Sequence, residues 1–429
     1  MRLVGAVLLL VGVAPAHAAG PLAEREVLPN GAVLLVAERP AIPVVVVRVS
    51  VPAGSVHDAL DGLGLANLTA ALITRGTVRR SGPELDRTIE FVGGSLEAGA
   101  GRDGAALSLS VLKKDLALGL DLLAEVLQYP VFPADELTRK VADIQAALRR
   151  SEQSPETLAG RALGPLIFPG HPYGRPSAGT IESVGKLTRE QVVEFHRLHY
   201  RPDGASIVAV GDVTVPEIRQ ALRERLARWS APATPLQPVP KPAATARAET
   251  RTITRGLSQT TVLLGRPSIR QDDPDYFPLA VATYVLGGGS ASRLYTRVRE
   301  ERGLAYSVYS ALQPARYGAS YLVSLQTRTD SVTEAVRLVR EEMARMGREP
   351  IAEAELELAK SYLIGSFPLR LDTSGKLAGF VGAVEESGLG LDYPERYKER
   401  IARVTTADVE RVAAKYLDPS TFSSVMVGK

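Results

Sequence analysis

The chain reads GLANLTAALITRGT from Gly64 to Thr77, and this short segment is the best starting point for interpreting all 429 residues. Its Leu65-Ala66 and Leu72 have nearly the same spacing as Leu279-Ala280 and Leu286 in the second half of the sequence. A match over such a long separation indicates an internal repeat. Two further pairs of segments repeat in the same order.

An apolar stripe with helical spacing occurs once in each half. It consists of Leu116, Leu120, Leu123 and Leu127, and, at a constant offset of 216, of Val332, Val336, Val339 and Met343. Residues with this spacing share one face of an α-helix. Alternating apolar residues precede each stripe, within residues 107–111 and 321–325, and are typical of a strand. The repeated unit is therefore a strand followed by a one-faced helix.

A third pair of segments extends the repeat toward the end of each half. Residues 187–200 resemble residues 404–416, and both segments lead into a strand that ends in glycine, at Gly211 and Gly428. Three matches in order favour duplication over chance. Strands occur in hairpin-like runs with helices between them, which predicts an α+β fold. We expect two homologous lobes, each a mainly antiparallel sheet with helices packed on it.

A proline-rich segment separates the two halves. Between Trp229 and Arg251 the chain reads SAPATPLQPVPKPAATARAET, which cannot sustain a helix or a central strand and should run extended. The predicted organisation is a leader over residues 1–18, an N-terminal lobe over 19–228, a linker over 229–250 and a C-terminal lobe over 251–429.

The first residues have the pattern of a secretory signal. Arg2 precedes an apolar run from Leu3 to Val13, and Ala16-His17-Ala18 offers small residues for cleavage after Ala18. We therefore expect an exported chain, periplasmic or extracellular. The sequence contains no cysteine, so core burial and not disulfides must hold the fold in an oxidising compartment.

The charge pattern excludes some functions. The formal net charge is +3 and basic residues alternate with acidic ones, so nothing predicts binding to nucleic acid or to an anionic membrane.

The Gly64–Thr77 segment resembles the inverted zinc signature of the pitrilysin/insulinase metallopeptidase family, G-L-A-H-x-x-E-H-x-x-x-x-G-T. In that signature two histidines bind Zn²⁺ and the glutamate between them is the general base. Here the three positions hold Asn67, Ala70 and Ala71. The family's third ligand, a glutamate about seventy-five residues further on, falls within Ala146-Ala147-Leu148, with Ala147 at its centre. The resemblance thus implies a degenerate site that binds no metal.

Other signatures extend the resemblance over nearly the whole chain after the leader. They are residues 168–176, 195–202 and 287–294. Alternative sites are weakly supported by the sequence. His196 and His199, at i and i+3, could share a metal, but they flank core positions of a helix. Gly287-Gly288-Gly289 could cradle a phosphate, but no Lys-Ser/Thr pair follows. His171 sits in a turn, where hydrogen bonding within the loop is the simplest role.

One functional pair of the family is retained. Arg299 and Tyr306 have the R-x6-Y spacing of a family pair that reaches, in trans, the carbonyl of a substrate held at the zinc of the opposing half. In relatives built from two chains, one subunit carries zinc and the other carries this pair. A guanidinium and a phenol can donate hydrogen bonds to a carbonyl oxygen as charge develops on it. The plain structural alternative is a solvated arginine and a tyrosine in the core.

The resemblance implies a non-catalytic half of a clamshell peptidase. The expected partners are a homologous zinc-bearing peptidase subunit and peptide substrates, with zinc in the partner and no cofactor on this chain. A scaffold or peptide-binding protein with no peptidase role is the alternative. A hydrolase with an independent site has no motif to support it, since neither G-x-S-x-G nor a P-loop occurs.

Overall fold

A computed structural model describes residues 21–243 and 247–428. The predicted leader lies outside the described residues. The first lobe, within residues 21–228, contains strands β1 Glu24–Val27, β2 Val33–Glu38, β3 Val44–Val51, β4 Ser95–Ala100, β5 Ala105–Leu112 and β6 Ser206–Gly211. Its helices are α1 Leu65–Leu72, α2 Gly82–Phe91, α3 Leu116–Gln128, α4 Ala134–Ser151, α5 Pro155–Ile167, α6 Ile181–Val184, α7 Arg189–His199 and α8 Val215–Arg225.

The second lobe, from Thr250 to Gly428, has a similar order of elements, with five strands in place of six and six α-helices in place of eight among the described residues. Its strands are β7 Thr250–Thr254, β8 Gln259–Ser268, β9 Ala305–Pro314, β10 Ala319–Arg328 and β11 Ser423–Gly428. Its helices are α9 Tyr276–Gly287, α10 Val332–Met346, α11 Glu353–Ser366, α12 Ser374–Glu386, α13 Tyr393–Arg403 and α14 Thr406–Tyr416. Among the described residues, no helix combines the length and apolar character needed to cross a bilayer.

The two sheets have the same strand order. The first runs β1-β2-β6-β3-β5-β4 and the second β7-β11-β8-β10-β9, so β1 is the additional strand. The β2–β6 and β7–β11 pairs are parallel, and the remaining pairs are antiparallel. The predicted α+β fold with two homologous lobes and mainly antiparallel sheets is confirmed.

The repeated helices lie where the sequence pattern places them. The stripe over residues 116–127 forms α3, the stripe over 332–343 lies in α10, and both bury their apolar faces. Helices α7 and α14 begin after Thr188 and Thr405, whose hydroxyl groups accept hydrogen bonds from backbone N–H groups in the first turn. These caps satisfy donors that a helix cannot satisfy internally.

Each lobe also contributes one helix to the sheet of the other lobe. Helix α5 packs on β8 and β11 of the second sheet, and α12 packs on β3 and β6 of the first. Gly265 in β8 allows this close approach, because a Cβ atom there would lie 2.9 Å from Leu163 of α5. The two lobes therefore share their cores. The division of the chain at residues 229–250 remains a prediction about folding units.

The proline-rich linker is held against the protein where it passes the lobes. Arg201 donates a hydrogen bond to the carbonyl of Thr234 at 2.6 Å, and His171 bonds to the carbonyl of Pro240 at 2.8 Å. Val239 packs on the apolar cluster beneath α5. Residues 234–240 are thus held against both lobes.

A buried carboxylate fixes the start of α9, the counterpart of α1 in the second lobe. Asp275 precedes α9 and accepts hydrogen bonds from Arg411, Lys415 and Tyr416 of α14, at 2.6, 2.9 and 2.8 Å. Burial alone would raise the pKa of Asp275, but the hydrogen bonds from Lys415, Arg411 and Tyr416 outweigh it and lower the pKa to about 2.

Replacing this carboxylate should reduce stability in a pH-dependent way. Because the pKa of Asp275 is lower in the folded state than the ordinary value near 3.9, its stabilisation is complete above about pH 4 and is lost as the pH falls toward about 2. Asp275→Asn should therefore lower the free energy of unfolding by about 2 kcal/mol at pH 7, and by less at pH 3.

The measurement is urea unfolding of the wild type and the variant at pH 7, 5, 4 and 3. The control is Asp330→Asn, since the side chain of Asp330 is 79% exposed. A difference between wild type and Asp275→Asn that stays constant over this range would contradict the assigned pKa.

Candidate functional site

Helix α1 is anchored at its start by a buried carboxylate. Asp58 accepts hydrogen bonds from the N–H groups of Gly64 and Ala66, at 2.8 and 2.9 Å. Gly64 has φ 95°, a left-handed conformation that glycine adopts without strain. Burial raises the pKa of Asp58 to about 6, although the backbone hydrogen bonds act in the opposite direction. These contacts fix the position at which α1 begins.

The zinc-signature positions themselves offer no chemistry. Ala70 is buried with 1% exposure, whereas Asn67 and Ala71 are half-buried. Ala147 is exposed on α4, which packs against α1. The methyl group of an alanine neither coordinates a metal nor transfers a proton, and a single amide is a poor zinc ligand. These residues do not fit a zinc ion.

The described residues, 21–243 and 247–428, contain no group of three or more His, Cys, Asp or Glu side chains placed to hold a metal ion. His196 and His199 lie in different surroundings. The Nε2 atom of His196 lies 3.0 Å from the carbonyl oxygen of Leu127, and burial lowers its pKa to about 4. The ring of His199 instead stacks on His57 at 4.6 Å between centroids. A shared metal at this pair is therefore not supported.

His171 has the loop role that the sequence predicts. Its Nδ1 atom accepts a hydrogen bond from the N–H of Tyr173 at 3.0 Å. The Nε2 atom must then carry the proton, and it donates to the carbonyl of Pro240. His171 thus joins its own turn to the linker.

Arg299 and Tyr306 are brought together by two irregular features of the second lobe. Arg299 lies in a π-helical segment, Tyr295–Glu300, and Tyr306 lies near the start of β9. In the pairing of β9 with β10, Gln326 opposes Ser307 and Thr327 opposes Ala305, so Tyr306 is the extra residue of a β-bulge. Both irregularities are frequent at functional sites, and a bulge redirects a side chain.

The two side chains face solvent and touch one another. Tyr306 is 74% exposed and Arg299 is also exposed. The guanidinium carbon of Arg299 lies 5.6 Å from the ring centre of Tyr306 and 4.8 Å from that of Tyr295. These distances allow cation–π attraction, which orients the guanidinium group. Tyr306 is therefore not a core residue, and Arg299 is held beside it by two rings.

Tyr295 was not singled out by its sequence pattern. Its separation from Arg299 by four residues, one helical turn, is the sequence signal for their contact.

Close packing explains why glycine is needed at Gly287 and Gly288. A Cβ atom at Gly287 would lie 2.5 Å from the backbone nitrogen of Ser310, and one at Gly288 would lie 2.6 Å from Tyr284. The structure therefore gives these glycines a packing role without a phosphate.

Taken together, these features define a two-lobed, duplicated α+β protein with the helix of an inverted zinc site but not its ligands. The family comparisons agree. Residues 33–181 match the family described as "Insulinase (Peptidase family M16)", and residues 186–363 match the "Peptidase M16 inactive domain". The chain therefore belongs to the M16, or insulinase, family of peptidases, as the resemblance implied. Its inactive-domain match fits a non-catalytic subunit.

Similar proteins include both peptidases and non-peptidases by name. An uncharacterized zinc protease of Mycobacterium tuberculosis is 30% identical over 410 residues, covering 94% of this chain and 93% of the relative. A "Non-peptidase homolog" of Helicobacter pylori is 24% identical over 405 residues, covering 94% and 93%. Membership of the family thus does not by itself imply catalysis.

A solved structure has the same fold over almost its full length. The crystal structure of a peptidase M16 inactive domain from Pseudomonas fluorescens has a TM-score of 0.89 and 29% sequence identity. The match covers 95% of this chain and 97% of that one.

The purified chain should bind no stoichiometric zinc and cleave no peptide. The reason is that Asn67, Ala70 and Ala71 replace all three groups of the signature and Ala147 offers no carboxylate. Elemental analysis and a peptide-digestion assay provide the measurements. One tightly held zinc ion per chain, together with cleavage that a chelator abolishes, would refute this prediction.

Restoring the signature alone should give only weak zinc binding. The variant Asn67→His, Ala70→Glu, Ala71→His supplies two imidazoles without a third ligand or its supporting contacts, and the glutamate enters a buried position. Adding Ala147→Glu should tighten zinc binding by about tenfold or more, because it supplies the missing carboxylate.

Zinc affinity is measured by competition with a chromogenic chelator, with circular dichroism as a check on folding. The matched control is Ala142→Glu in place of Ala147→Glu, because Ala142 is also an exposed alanine of α4 but lies outside residues 146–148. Tight binding by the triple variant would show that another ligand is already present.

Proposed function

We propose that this chain is the non-catalytic, substrate-binding subunit of a peptide-degrading zinc metallopeptidase whose partner is a homologous, zinc-bearing chain. One observation carries the proposal. Arg299 and Tyr306 lie side by side and exposed, in a protein whose own zinc-signature positions hold no metal ligand. Two exposed hydrogen-bond donors, with no metal-binding group beside them in the described residues, are suited to act on a site in another molecule.

The chemistry of the pair is transition-state stabilisation. Zinc in the partner would supply the hydrolytic chemistry, and this chain would supply donors. The N–H groups of Arg299 and the O–H group of Tyr306 can donate hydrogen bonds to the oxygen of the scissile carbonyl as negative charge develops there. These hydrogen bonds would stabilise the transition state most strongly in a chamber closed to water, where the low dielectric strengthens each electrostatic interaction.

The position of Tyr306 on an edge strand supports peptide binding. In the part of the sheet that the structure describes, β9 pairs only with β10, so one side of β9 keeps its backbone groups free. An extended peptide can pair with such an edge through main-chain hydrogen bonds, which place few demands on peptide sequence. Substrate backbone and the donor pair would then meet on the same strand.

Export to the periplasm or the extracellular space is part of the proposal. The support is the leader pattern from Arg2 to Ala18. Fractionation of cells that express the full-length chain, with N-terminal sequencing of the product, tests this part directly.

A scaffold or peptide-binding role without peptidase function is the second candidate. The similarity to the Helicobacter pylori non-peptidase homolog favours it. The exposed donor pair favours the first candidate, because packing alone does not require an exposed tyrosine at a β-bulge.

Removal of either donor should slow peptide cleavage by the assembled pair. If both groups stabilise the oxyanion, Arg299→Ala and Tyr306→Phe should each lower kcat by about 10²–10³, which corresponds to roughly 2.7–4 kcal/mol. Assembly should not change, because the proposed role of both groups is to donate to the substrate and not to the partner chain. The measurement is cleavage of a quenched fluorescent peptide by the zinc-bearing homologue with and without this chain.

The matched control is Arg302→Ala. Arg302 lies three residues from Arg299 and its side chain is 50% exposed, so a similar charge is lost from a different position. Size-exclusion chromatography reports assembly separately from turnover. Wild-type turnover in both donor variants would favour the scaffold role.

A further inference from the structure

A small basic cavity lies in the first lobe, away from Arg299 and Tyr306. It has a volume of about 200 Å³ and opens between α5, the turn that follows it and the tip of the β4–β5 hairpin. Its wall consists of Arg102, Gly160, Arg161, Gly164, Tyr173, Gly174, Arg175, Pro176, Ser177 and Ala178. At about 30 Å³ per water molecule, the volume corresponds to roughly six or seven waters. It would therefore accept one small polar group with a few attached atoms.

The wall carries three positive charges and no negative one. Arg102, Arg161 and Arg175 come from three different segments, and none of the ten lining residues is Asp or Glu. Within the described residues, neither Arg102 nor Arg175 has a carboxylate oxygen within 4.0 Å, although the charge of Arg175 acts on the buried carboxyl group of Asp58, and Arg161 forms an ion pair with Glu152 at 4.0 Å. Elsewhere in the chain Arg293 contacts Glu355 at 2.7 Å.

Each guanidinium group is oriented by a neutral partner. Arg102 lies over the ring of Tyr173, with 5.8 Å between its guanidinium carbon and the ring centre. Arg161 donates to the hydroxyl of Ser151 at 2.9 Å, and Arg175 donates to the carbonyl of Asp58 at 3.1 Å. A guanidinium has five N–H donors, so these contacts leave most donors available. Such partial anchoring lowers the entropy that a ligand must remove on binding.

The small residues of the wall leave the arginines accessible. Apart from the adjoining residues and backbone of α5 itself, no atom lies within 4 Å of the position that a Cβ at Gly160 would occupy, so this part of α5 faces open space. A Cβ at Gly164 would approach the carbonyl oxygen of Gly174 at 3.1 Å, which shows that the turn lies close against the helix. Glycine thus serves both to open the cavity and to bring its walls together.

We propose that this cavity is a binding site for an oxyanion, either a carboxylate or a phosphate group. The planar fork of a guanidinium matches the two oxygens of a carboxylate or phosphate, and such charge-assisted bonds are stronger than neutral ones. Three guanidinium groups from separate segments surround one volume of the appropriate size. The site belongs to this chain alone and does not depend on a zinc-bearing partner.

An occupied site would connect several parts of the molecule. Arg102 lies next to Asp103, which accepts hydrogen bonds from the hydroxyl of Tyr173 and from the N–H of Arg316 in the second lobe. On the opposite side, the carbonyl oxygen of Ala178 lies 2.9 Å from the position of a Cβ at Gly64, where α1 begins. An oxyanion would therefore tie the hairpin tip, α5 and the turn beside α1 together at the junction of the lobes.

Isothermal titration calorimetry on the isolated chain at low ionic strength tests the proposal. The probes are inorganic phosphate and a short peptide with uncharged side chains, prepared with a free C-terminal carboxylate or with a C-terminal amide. We expect saturable binding, with one site per chain, of phosphate or of the free-acid peptide. Arg102→Gln and Arg161→Gln should each weaken it by about tenfold or more, and added salt should weaken it further.

Two further variants keep the test decisive. Gly160→Glu places a carboxylate on the open wall of the cavity, where it should form ion pairs with the arginines and abolish oxyanion binding while α5 stays folded. Arg337→Gln, an exposed residue of α10 that pairs with Glu341, removes one charge elsewhere and should leave binding unchanged.

The probes also distinguish the source of the oxyanion. Binding of the free-acid peptide but not of the amide identifies a peptide carboxylate, and binding of phosphate alone identifies a phosphate ligand. Either result supports the site if the arginine and Gly160 variants lose it. Absence of saturable binding for every probe, or equal binding by wild type, Arg102→Gln and Gly160→Glu, would overturn the proposal.

Discussion

The exchange of helices between the lobes is the interaction on which the rest of the structure depends. Each sheet has two faces, and each lobe supplies helices to only one face of its own sheet. The other face is covered by α5 from the first lobe or by α12 from the second. Leu163 and Val381 are buried at these two crossings, with 2% and 0% exposure. An apolar face of a sheet must be covered by another element, whether its strands are parallel or antiparallel. Each sheet therefore needs a helix from the opposite lobe to cover its second face.

This shared core determines where functional groups can act. Helices α5 and α12 cross between the lobes, His171 and Arg201 bind the linker, and Asp103 joins the β4–β5 hairpin to Arg316 of the second lobe. We therefore expect the two lobes of one chain to move as a single rigid body. A closing motion around a substrate would then have to occur between two chains and not between the lobes of one. That expectation agrees with the exposed position of Arg299 and Tyr306 on the second lobe, since the described residues contain no group of side chains placed to hold a metal ion.

Much of this architecture could be predicted from the sequence, and the missing parts have physical reasons. Periodicity identified α3 and α10 because their apolar residues lie on one face, and the repeat predicted two similar lobes. The apolar residues of α5 indicate that one face of this helix is buried, but their periodicity does not specify which sheet they cover, so the exchange of helices does not follow from the sequence. The oxyanion cavity was missed because Arg102, Arg161 and Arg175 are separated by 59 and 14 residues and only the fold brings them together. The β-bulge at Tyr306 depends on the register with β10, which the sequence of β9 alone does not specify.

The two sets of site residues differ in what folding requires of them. Ala70 is buried in α1 among apolar residues, where a charged glutamate would have to lose its hydration, so alanine at this position serves packing as well as any residue could. The presence of α1 is therefore explained by the core alone. Tyr306 is different, because a ring that is 74% exposed adds little burial, and a bulge that directs it outward disrupts the regular ladder. Core packing explains Ala70 but does not explain an exposed ring beside Arg299, and this difference favours Arg299 and Tyr306 over the α1 positions as the residues that we propose to act on a substrate.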